Sequence, residues 1–279
     1  MPIPRHEHLA VALGGRIYVI GGSVNAENSV RVDAFDPATG VFHRKADLLE
    51  ARSFFAGAAL GERIYVVGGT RRRSAEEFDP EENRWRTVAP PPFTRTHFAA
   101  AAHGGRLFAI GGYGGEVREG DAQFSPDVFA YDPLADRWEE GPPLPLPLHG
   151  HRAVDLDGTL HVLGGTADFD DFTHHFVLRG GSWEKAAPLP PNGNIFFVAE
   201  PHRGTIVVAG GLGDRVWRYD PATDAWTRLP DHEPPRYHAA GAVALDRLYL
   251  FGGAPTAAGL RETFDSIPLG TAAARTPAK

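Results

Sequence analysis

Cysteine is absent from this chain of 279 residues, and lysine occurs only at positions 45, 185 and 279. Without cysteine the fold can contain no disulfide, no thiolate metal site and no cysteine nucleophile. Because lysine is so scarce, positive charge is carried almost entirely by arginine, and the formal net charge is -7. A nucleic-acid-binding surface usually needs a basic stripe, so this charge balance argues against nucleic acid as a partner.

Long hydrophobic runs are also missing. No apolar run approaches the length of a membrane span, and residues 1–8 lack the apolar core of a signal peptide. We therefore expect a cytoplasmic protein that does not enter a membrane. A chain of this length could form two ordinary domains, but all-β rings of this size often form one. We expect one domain over residues 1–270 and a disordered, alanine-rich tail over residues 271–279.

Glycine, by contrast, is abundant, and six Gly-Gly pairs each end a short apolar stretch. The first glycines of the six pairs are Gly21, Gly68, Gly111, Gly164, Gly210 and Gly252. Their spacing of 42 to 53 residues is typical of propeller blades or of helical arrays. The apolar stretches are short, rich in Val, Ile, Tyr and Phe, and bounded by turn residues, which indicates strands and not helices. The sequence therefore predicts an all-β fold, a six-bladed β-propeller.

Two further features recur within the repeats. An Asp-Pro turn stands at 36–37, 79–80, 132–133 and 220–221. Six residues after each of these Asp residues comes a large aromatic side chain, at Phe42, Trp85, Trp138 and Trp226. We expect these rings to fill the gap between adjacent blades near the rim. The fourth repeat has a glycine turn before Trp183 instead, and the sixth has a third strand over 263–269 but no aromatic fourth strand, so its blade is expected to have three strands.

The Gly pair, the Asp-Pro turn, the following Trp and an Arg sixteen residues before the Gly pair resemble the Kelch repeat. The resemblance covers residues 1–270 and implies a six-bladed Kelch-type β-propeller. Proteins of that family range from protein-binding adaptors to enzymes such as galactose oxidase, sialic acid mutarotases and nitrile-specifier proteins, so the resemblance implies a fold and not a function. It also implies that the functional site lies at one mouth of the central channel, among the loops that the rigid strands position.

Arginine recurs at this expected mouth. Four repeats carry it sixteen residues before the Gly pair, at Arg5, Arg52, Arg95 and Arg236, and Arg72 follows the second Gly pair. Guanidinium groups bind carboxylate and phosphate through paired hydrogen bonds, so one interpretation is a site for a small anionic ligand or an acidic peptide. The alternative is that these arginines belong to the Kelch consensus and tie loops together.

Histidine is also concentrated at the expected mouth. His6 and His149 stand one residue after the arginine position, and His97 and His238 stand two residues after it, the last of them preceded by Tyr237. Imidazoles are suited to acid-base work or to binding Fe, Cu, Zn or Mn. Tyr237-His238 resembles the Tyr-His copper ligands of galactose oxidase, but that family's cofactor needs a cysteine crosslinked to a tyrosine, which this chain lacks.

The loop from Thr166 to His175 is the densest set of metal-ligating residue types in the chain. On one helical turn Asp170 and His174 would lie side by side. Asp171 and His175 have the same spacing. The spacing resembles part of the Glu-x-x-x-Asp-x-x-x-His iron motif of nitrile-specifier proteins, with Thr166 or Ala167 where the Glu belongs. The alternative is a solvated acidic loop. A second loop, the insertion between Tyr113 and Phe124, is a candidate cover over the mouth.

Two functions therefore remain open. The first is a binding module whose mouth holds a small anionic or polar ligand, or an acidic peptide. The second is a small enzyme, either metal-dependent or using acid-base chemistry as a lyase, isomerase, mutarotase or oxidase, with His97, Tyr237 and His238 as the candidate catalytic residues.

Overall fold

The protein is a ring of six antiparallel sheets arranged as a β-propeller. The computed structural model describes residues 1–114, 124–192, 194–230, 236–254 and 264–270. Five sheets have four strands each, and within these described residues the sixth has three, as predicted. The expected cover, residues 115–123, and the expected tail, residues 271–279, lie outside the described residues. None of the described residues forms a helix of the length and apolarity that crossing a bilayer requires.

Each blade is a meander whose strands follow one another from the channel to the rim. The first three blades comprise β1 (Leu9–Leu13), β2 (Arg16–Ile20), β5 (Val32–Asp36) and β6 (Val41–Arg44); β7 (Ala56–Leu60), β8 (Arg63–Val67), β9 (Ala75–Asp79) and β10 (Arg84–Val88); and β11 (Ala99–His103), β12 (Arg106–Ile110), β13 (Val128–Asp132) and β14 (Arg137–Gly141). A small hairpin of β3 (Ser23–Val24) and β4 (Glu27–Asn28) follows the first Gly pair. The other three comprise β15 (Arg152–Leu156), β16 (Thr159–Leu163), β17 (His175–Arg179) and β18 (Ser182–Lys185); β19 (Phe197–His202), β20 (Thr205–Gly210), β21 (Val216–Asp220) and β22 (Ala225–Leu229); and β23 (Ala240–Ala244), β24 (Arg247–Phe251) and β25 (Phe264–Pro268).

The second strand of each blade is the apolar stretch that the sequence repeats six times. Neighbouring blades cover both of its faces, so it reads as a continuous apolar run and does not alternate. Every residue of β20 is buried, for example. The fourth strands lie at the rim, and in β10, for example, buried apolar residues are separated by exposed polar ones.

The Gly pair that ends each second strand is required by close backbone approach. Gly22 has a φ of +96°, and a Cβ at this position would lie 2.6 Å from the His8 Cβ and 2.7 Å from the His6 carbonyl oxygen. Only glycine fits where the chain passes this close to the start of the first strand.

Packing between blades 1 and 6 closes the ring. The Phe35 ring lies 5.5 Å from Tyr249 and 5.6 Å from Phe251, centroid to centroid, in one buried cluster. The Gly253 backbone N–H also donates to the Arg5 carbonyl over 3.1 Å. The first strand of the chain pairs within its own blade, so closure rests on these contacts between side chains and loops.

The rim tryptophans lie between blades, as predicted. Each indole N–H donates to a backbone carbonyl where the preceding blade ends, over 2.8 to 3.0 Å, in the pairs Trp85 with Ala46, Trp138 with Ala89, Trp183 with Pro142 and Trp226 with Ala187. Each ring therefore buries apolar surface and also ties its blade to the one before it.

Candidate functional site

The four arginines expected at the mouth are buried within the blades. Arg5, Arg52 and Arg236 have no exposed surface, and Arg95 is 7% exposed. Each donates to the carbonyl of the first glycine of its own blade, and Arg52 does so over 2.9 Å to Gly68.

Each of these guanidinium groups also pairs with a carboxylate at or beside the third strand of its blade. The pairs are Arg5 with Asp33, Arg52 with Glu76, Arg95 with Asp127 and Arg236 with Asp265. The geometry is that of an internal clamp from the strand entrance to the Gly pair. It favours the loop-tying interpretation, and the ligand-binding role of these four arginines remains untested.

Arg72 is different because its side chain is 40% exposed. Its Nε donates to the Ala51 carbonyl over 3.3 Å and lies 3.9 Å from a Glu50 carboxylate oxygen. Of the five arginines predicted to bind a ligand, Arg72 has the most accessible guanidinium group.

One residue per blade closes the mouth end of the channel. These residues stand two positions after the arginine position and all have a left-handed backbone, with φ between +52° and +70°: Glu7, Phe54, His97, Gly150, Phe196 and His238. Their amides and carbonyls form hydrogen bonds from blade to blade around the ring, such as Phe54 N–H to Glu7 O over 3.2 Å and Gly150 N–H to His97 O over 2.8 Å. A left-handed φ is costly for bulky residues, and its repetition suggests that closing the ring depends on it.

The rings of Phe54, His97, Phe196 and His238 pack together at this end of the channel, and the Glu7 backbone is hydrogen-bonded to Phe54 and His238. We call these five residues the plug. Phe196 and His238 stack at 4.3 Å between ring centroids, and Phe54 and His97 lie 4.2 Å apart. His97 is 6.4 Å from His238, so two of the predicted catalytic residues meet although they come from blades 3 and 6. Gly150, which has no side chain, leaves the space that the neighbouring Phe196 ring occupies.

Two other predicted residues border the plug. The His6 ring lies 6.4 Å from His238, and Tyr237 packs edge-on against His238 at 4.0 Å. His6 Nε2 lies 3.5 Å from a carboxylate oxygen of Glu7. Within the described residues His6 Nδ1 is enclosed and has no hydrogen-bond partner.

Burial controls the protonation of the plug. It lowers the pKa of His97 to about 4 and that of His238 to about 3, with smaller contributions from neighbouring imidazoles and from Arg152. Burial raises the pKa of Glu7 to about 7. At neutral pH the plug imidazoles are therefore uncharged, while Glu7 exchanges between its acid and carboxylate forms.

A patch of exposed rings adjoins the plug on the side of blades 3 and 4. His149 stacks on Phe124 with 4.0 Å between centroids, and Phe169 lies 5.2 Å from His149. Phe169 is 61% exposed and Tyr113 is 38% exposed. The His149 ring lies 6.3 Å from His97, and its Nδ1 is hydrogen-bonded to the Thr166 carbonyl at 3.1 Å.

The helical turn considered for Asp170 to His174 is not formed. Residues 167–170 form bends, residues 171–174 have no regular structure, and His175 begins β17. Side-chain oxygens explain this, because Thr166 Oγ1 accepts the Phe169 N–H over 2.7 Å and Asp168 accepts the Asp170 N–H over 3.0 Å. Such local side-chain bonds compete with helical hydrogen bonds.

Asp170 and His174 are therefore not brought side by side as metal ligands. Asp170 is exposed, and His174 Nδ1 lies 3.7 Å from Asp171 instead. In the part of the chain that the structure describes, no group of three or more His, Asp or Glu side chains is arranged to hold a metal ion. A metal at the mouth, bound by His6, His97, His149 or His238, stays a prediction.

Beneath the plug the first strands of all six blades line a cavity of about 420 Å³. Its wall is mostly small and apolar, as in the sequences of β7, AGAAL, and β23, AGAVA. Blades 4 and 5 depart from this, since β15 contributes Arg152 and Asp155 and β19 contributes Glu200. This volume is within the range of small-molecule sites.

Burial in the channel wall strongly shifts the pKa values of Arg152 and Glu200. Burial lowers the pKa of Arg152 to about 10 and raises that of Glu200 to about 8, and their mutual attraction opposes each shift only in part. Both side chains are half-buried by accessible surface, because each borders the cavity. Sequence reasoning missed them, although a signal was present: charged residues in first strands that are otherwise rich in alanine.

The fold agrees with comparisons to known proteins. The Kelch motif is matched by four segments of the chain, residues 4–49, 51–92, 94–145 and 196–232, which together make up more than half of it. The chain belongs to the Kelch-repeat family. The unmatched fourth repeat of this Kelch propeller is the one that lacks both the clamp arginine and the Asp-Pro turn.

Similar proteins support the same conclusion about the family. Kelch-like protein 36 from Rattus norvegicus is 26% identical over 259 residues, covering 83% of this chain and 41% of that protein. Kelch-like protein 40 from Xenopus laevis is 28% identical over 151 residues, covering 51% of this chain and 24% of that protein. This Kelch propeller therefore spans less than half the length of these relatives. The structure of YjhT superposes with a TM-score of 0.81 at 15% identity over 95% of each chain, which is a likeness of fold.

Proposed function

We propose that this Kelch propeller binds a small polar ligand at the mouth of its channel, on the surface formed by the plug and its neighbours. The observation that carries the proposal is the meeting of His6, His97, Tyr237 and His238 with Glu7 at one end of the channel, although they come from three blades. Rings together with a few convergent polar groups are the usual lining of a small-molecule site.

The chemistry of this surface suits a ligand with hydroxyl or carboxyl groups and one flat apolar face. The imidazoles are neutral, so they can donate or accept hydrogen bonds without an ionic partner. The exposed rings of Tyr113 and Phe169 offer faces for stacking. Arg72 is the most exposed of the predicted arginines, and an anionic ligand or an acidic peptide would pair with it.

Ligand-observed saturation-transfer NMR tests the proposal with three probes: glucose, glucuronate and phenyl phosphate. We expect signal transfer to at least one probe, lost in His238→Asn and reduced in Phe169→Ala. Asn tolerates the left-handed backbone of position 238, so the ring is removed without adding backbone strain. The matched control is Leu134→Ala at the rim, where the side chain is 98% exposed. Transfer to no probe, or equal transfer to all variants, would refute the proposal.

A second candidate function is acid-base catalysis at the same mouth. It is favoured by Glu7, whose pKa of about 7 suits proton exchange at neutral pH, beside His6 and within electrostatic reach of Tyr237. An isomerase or mutarotase acting on a hydroxylated ligand would use such a carboxyl group. The wild type should then accelerate the anomer exchange of glucuronate, measured by NMR magnetisation exchange. Glu7→Gln should show no acceleration. A wild-type rate equal to that of buffer would eliminate this version.

A further inference from the structure

The cavity beneath the plug is lined by Arg152, whose guanidinium carbon lies 6.0 Å from the centroid of the Phe197 ring. Arg152 donates one hydrogen bond, from Nη1 to the His151 carbonyl over 3.0 Å. Among the described residues no carboxylate lies within ion-pair distance of it. The clamp arginines each have such a partner, so Arg152 differs from them in having guanidinium donors that face the cavity.

Glu200 is, with Asp155, one of two carboxyl-bearing side chains in this part of the wall. It lies on β19, next to β15, and within the described residues its carboxyl group makes no hydrogen bond and no ion pair. The two side chains influence each other electrostatically without being in contact. A buried cation and a buried carboxyl group left this way are costly to a fold unless something else satisfies them.

We propose that the central channel is a second binding site, which takes a small organic carboxylate with its carboxylate group on Arg152 and a hydroxyl group hydrogen-bonded to Glu200. The guanidinium fork matches the two oxygens of a carboxylate. A phosphate dianion fits less well, because among the described residues Arg152 is the one cation lining the cavity while Asp155 and Glu200 also line it. The small apolar residues of the remaining wall would pack against the carbon skeleton.

The groups that face Glu200 decide how this site responds to pH. The strand β15 on one side brings Arg152 and Asp155, β23 on the other side brings no titratable residue, and His8 borders the cavity from blade 1. Burial holds the pKa of His8 well below its usual range, so this imidazole stays neutral. Asp155 is hydrogen-bonded to His103 over 2.6 Å and is engaged elsewhere.

The site is separate from the proposed mouth site, because the cavity is lined by the first strands and not by the plug residues that form the mouth surface. Calorimetric titration with glycolate, a hydroxycarboxylate, tests it against glycerol and against sodium chloride at equal ionic strength. We expect saturable binding of glycolate only, weakened roughly tenfold or more in Arg152→Gln. Glutamine is uncharged yet can still donate to the His151 carbonyl. The matched control Arg137→Gln, at a rim position whose side chain is 64% exposed, should bind as the wild type does.

Three results would overturn the channel site: no glycolate binding, equal binding in Arg152→Gln, or binding that is lost in the plug variant His238→Asn and kept in Arg152→Gln. The last result would assign glycolate to the mouth and leave the proposed function intact. Should Arg152→Gln fail to fold, Glu200→Gln provides the second variant. It should retain the carboxylate contact but lose the dependence of affinity on pH, and unchanged pH dependence would count against the proposal.

Discussion

Replacing Arg52 by methionine tests whether the arginines that recur in the repeats act as internal clamps. The Arg52 side chain is fully buried and donates to the Gly68 carbonyl over 2.9 Å and to Glu76 Oε1 over 2.5 Å. Its partner Glu76 is only 2% exposed. Arg52→Met therefore leaves a carboxylate inside the protein without its counter-charge.

The magnitude follows from what Glu76 retains. Removing one partner of a buried ion pair typically costs about 3–5 kcal/mol. The Glu76 carboxylate still accepts the Leu49 N–H over 2.8 Å and the Glu50 N–H over 3.2 Å, so we expect the lower end, about 3 kcal/mol. In Arg95→Met the partner Asp127 has a side chain that is 53% exposed, so water can replace the arginine and the loss should be about 1–2 kcal/mol.

Urea unfolding followed by tryptophan fluorescence measures these free energies, since Trp85 is buried in the core shared by blades 1 and 2. Glu76→Gln added to Arg52→Met should recover part of the loss, because a neutral amide is less costly to bury than an unpaired carboxylate. Arg52→Met within about 1 kcal/mol of the wild type, the range of an exposed ion pair, would refute the clamp and restore a ligand-binding role for this arginine.

Three further predictions concern the plug, the buried histidines and the channel. Gly150→Ala should lower the free energy of unfolding by roughly 2–4 kcal/mol in the same urea assay, because its Cβ would lie 2.5 Å from Ile195 at a φ of +70°. The control Gly181→Ala has a φ of +82° but open space around its Cβ, so it should lose about 1 kcal/mol. Equal losses in the two variants would contradict the reasoning. His151 has its pKa lowered by burial to about 3 from 6.5, so the unfolded chain binds the proton first and the free energy of unfolding should decrease as the pH is lowered below 6.5. His151→Gln should reduce that slope by up to about 1.4 kcal/mol per pH unit, and an unchanged slope would show that His151 does not contribute. Glycolate affinity should fall as the pH rises through about 8, the raised pKa of Glu200, because ionised Glu200 repels the ligand carboxylate and competes for Arg152; affinity that is flat across this range in calorimetry would exclude that role.

Local patterns in the sequence determined the architecture. The stretch Arg16–Ile20 and its five counterparts predicted the second strand of every blade, since a strand covered on both faces must be apolar throughout. The Trp residues after the Asp-Pro turns predicted the contacts between blades, and the missing aromatic strand after residue 269 predicted a sixth sheet of three strands. These features depend on residue spacing along the chain, which can be read directly from the sequence of each repeat.

Tertiary structure decided what the polar residues do. Arg5 and Arg152 both stand just before or at the start of a first strand. Arg5 is paired with Asp33 inside its blade, whereas Arg152 lines the channel and donates one hydrogen bond, to the His151 carbonyl. Glu7 and His238 stand at opposite ends of the chain and become neighbours of the same plug only when the ring closes. The pKa of each of these side chains and the groups that it contacts depend on residues from other blades, which bury it and surround it. No single repeat contains those residues, so its sequence alone cannot predict them.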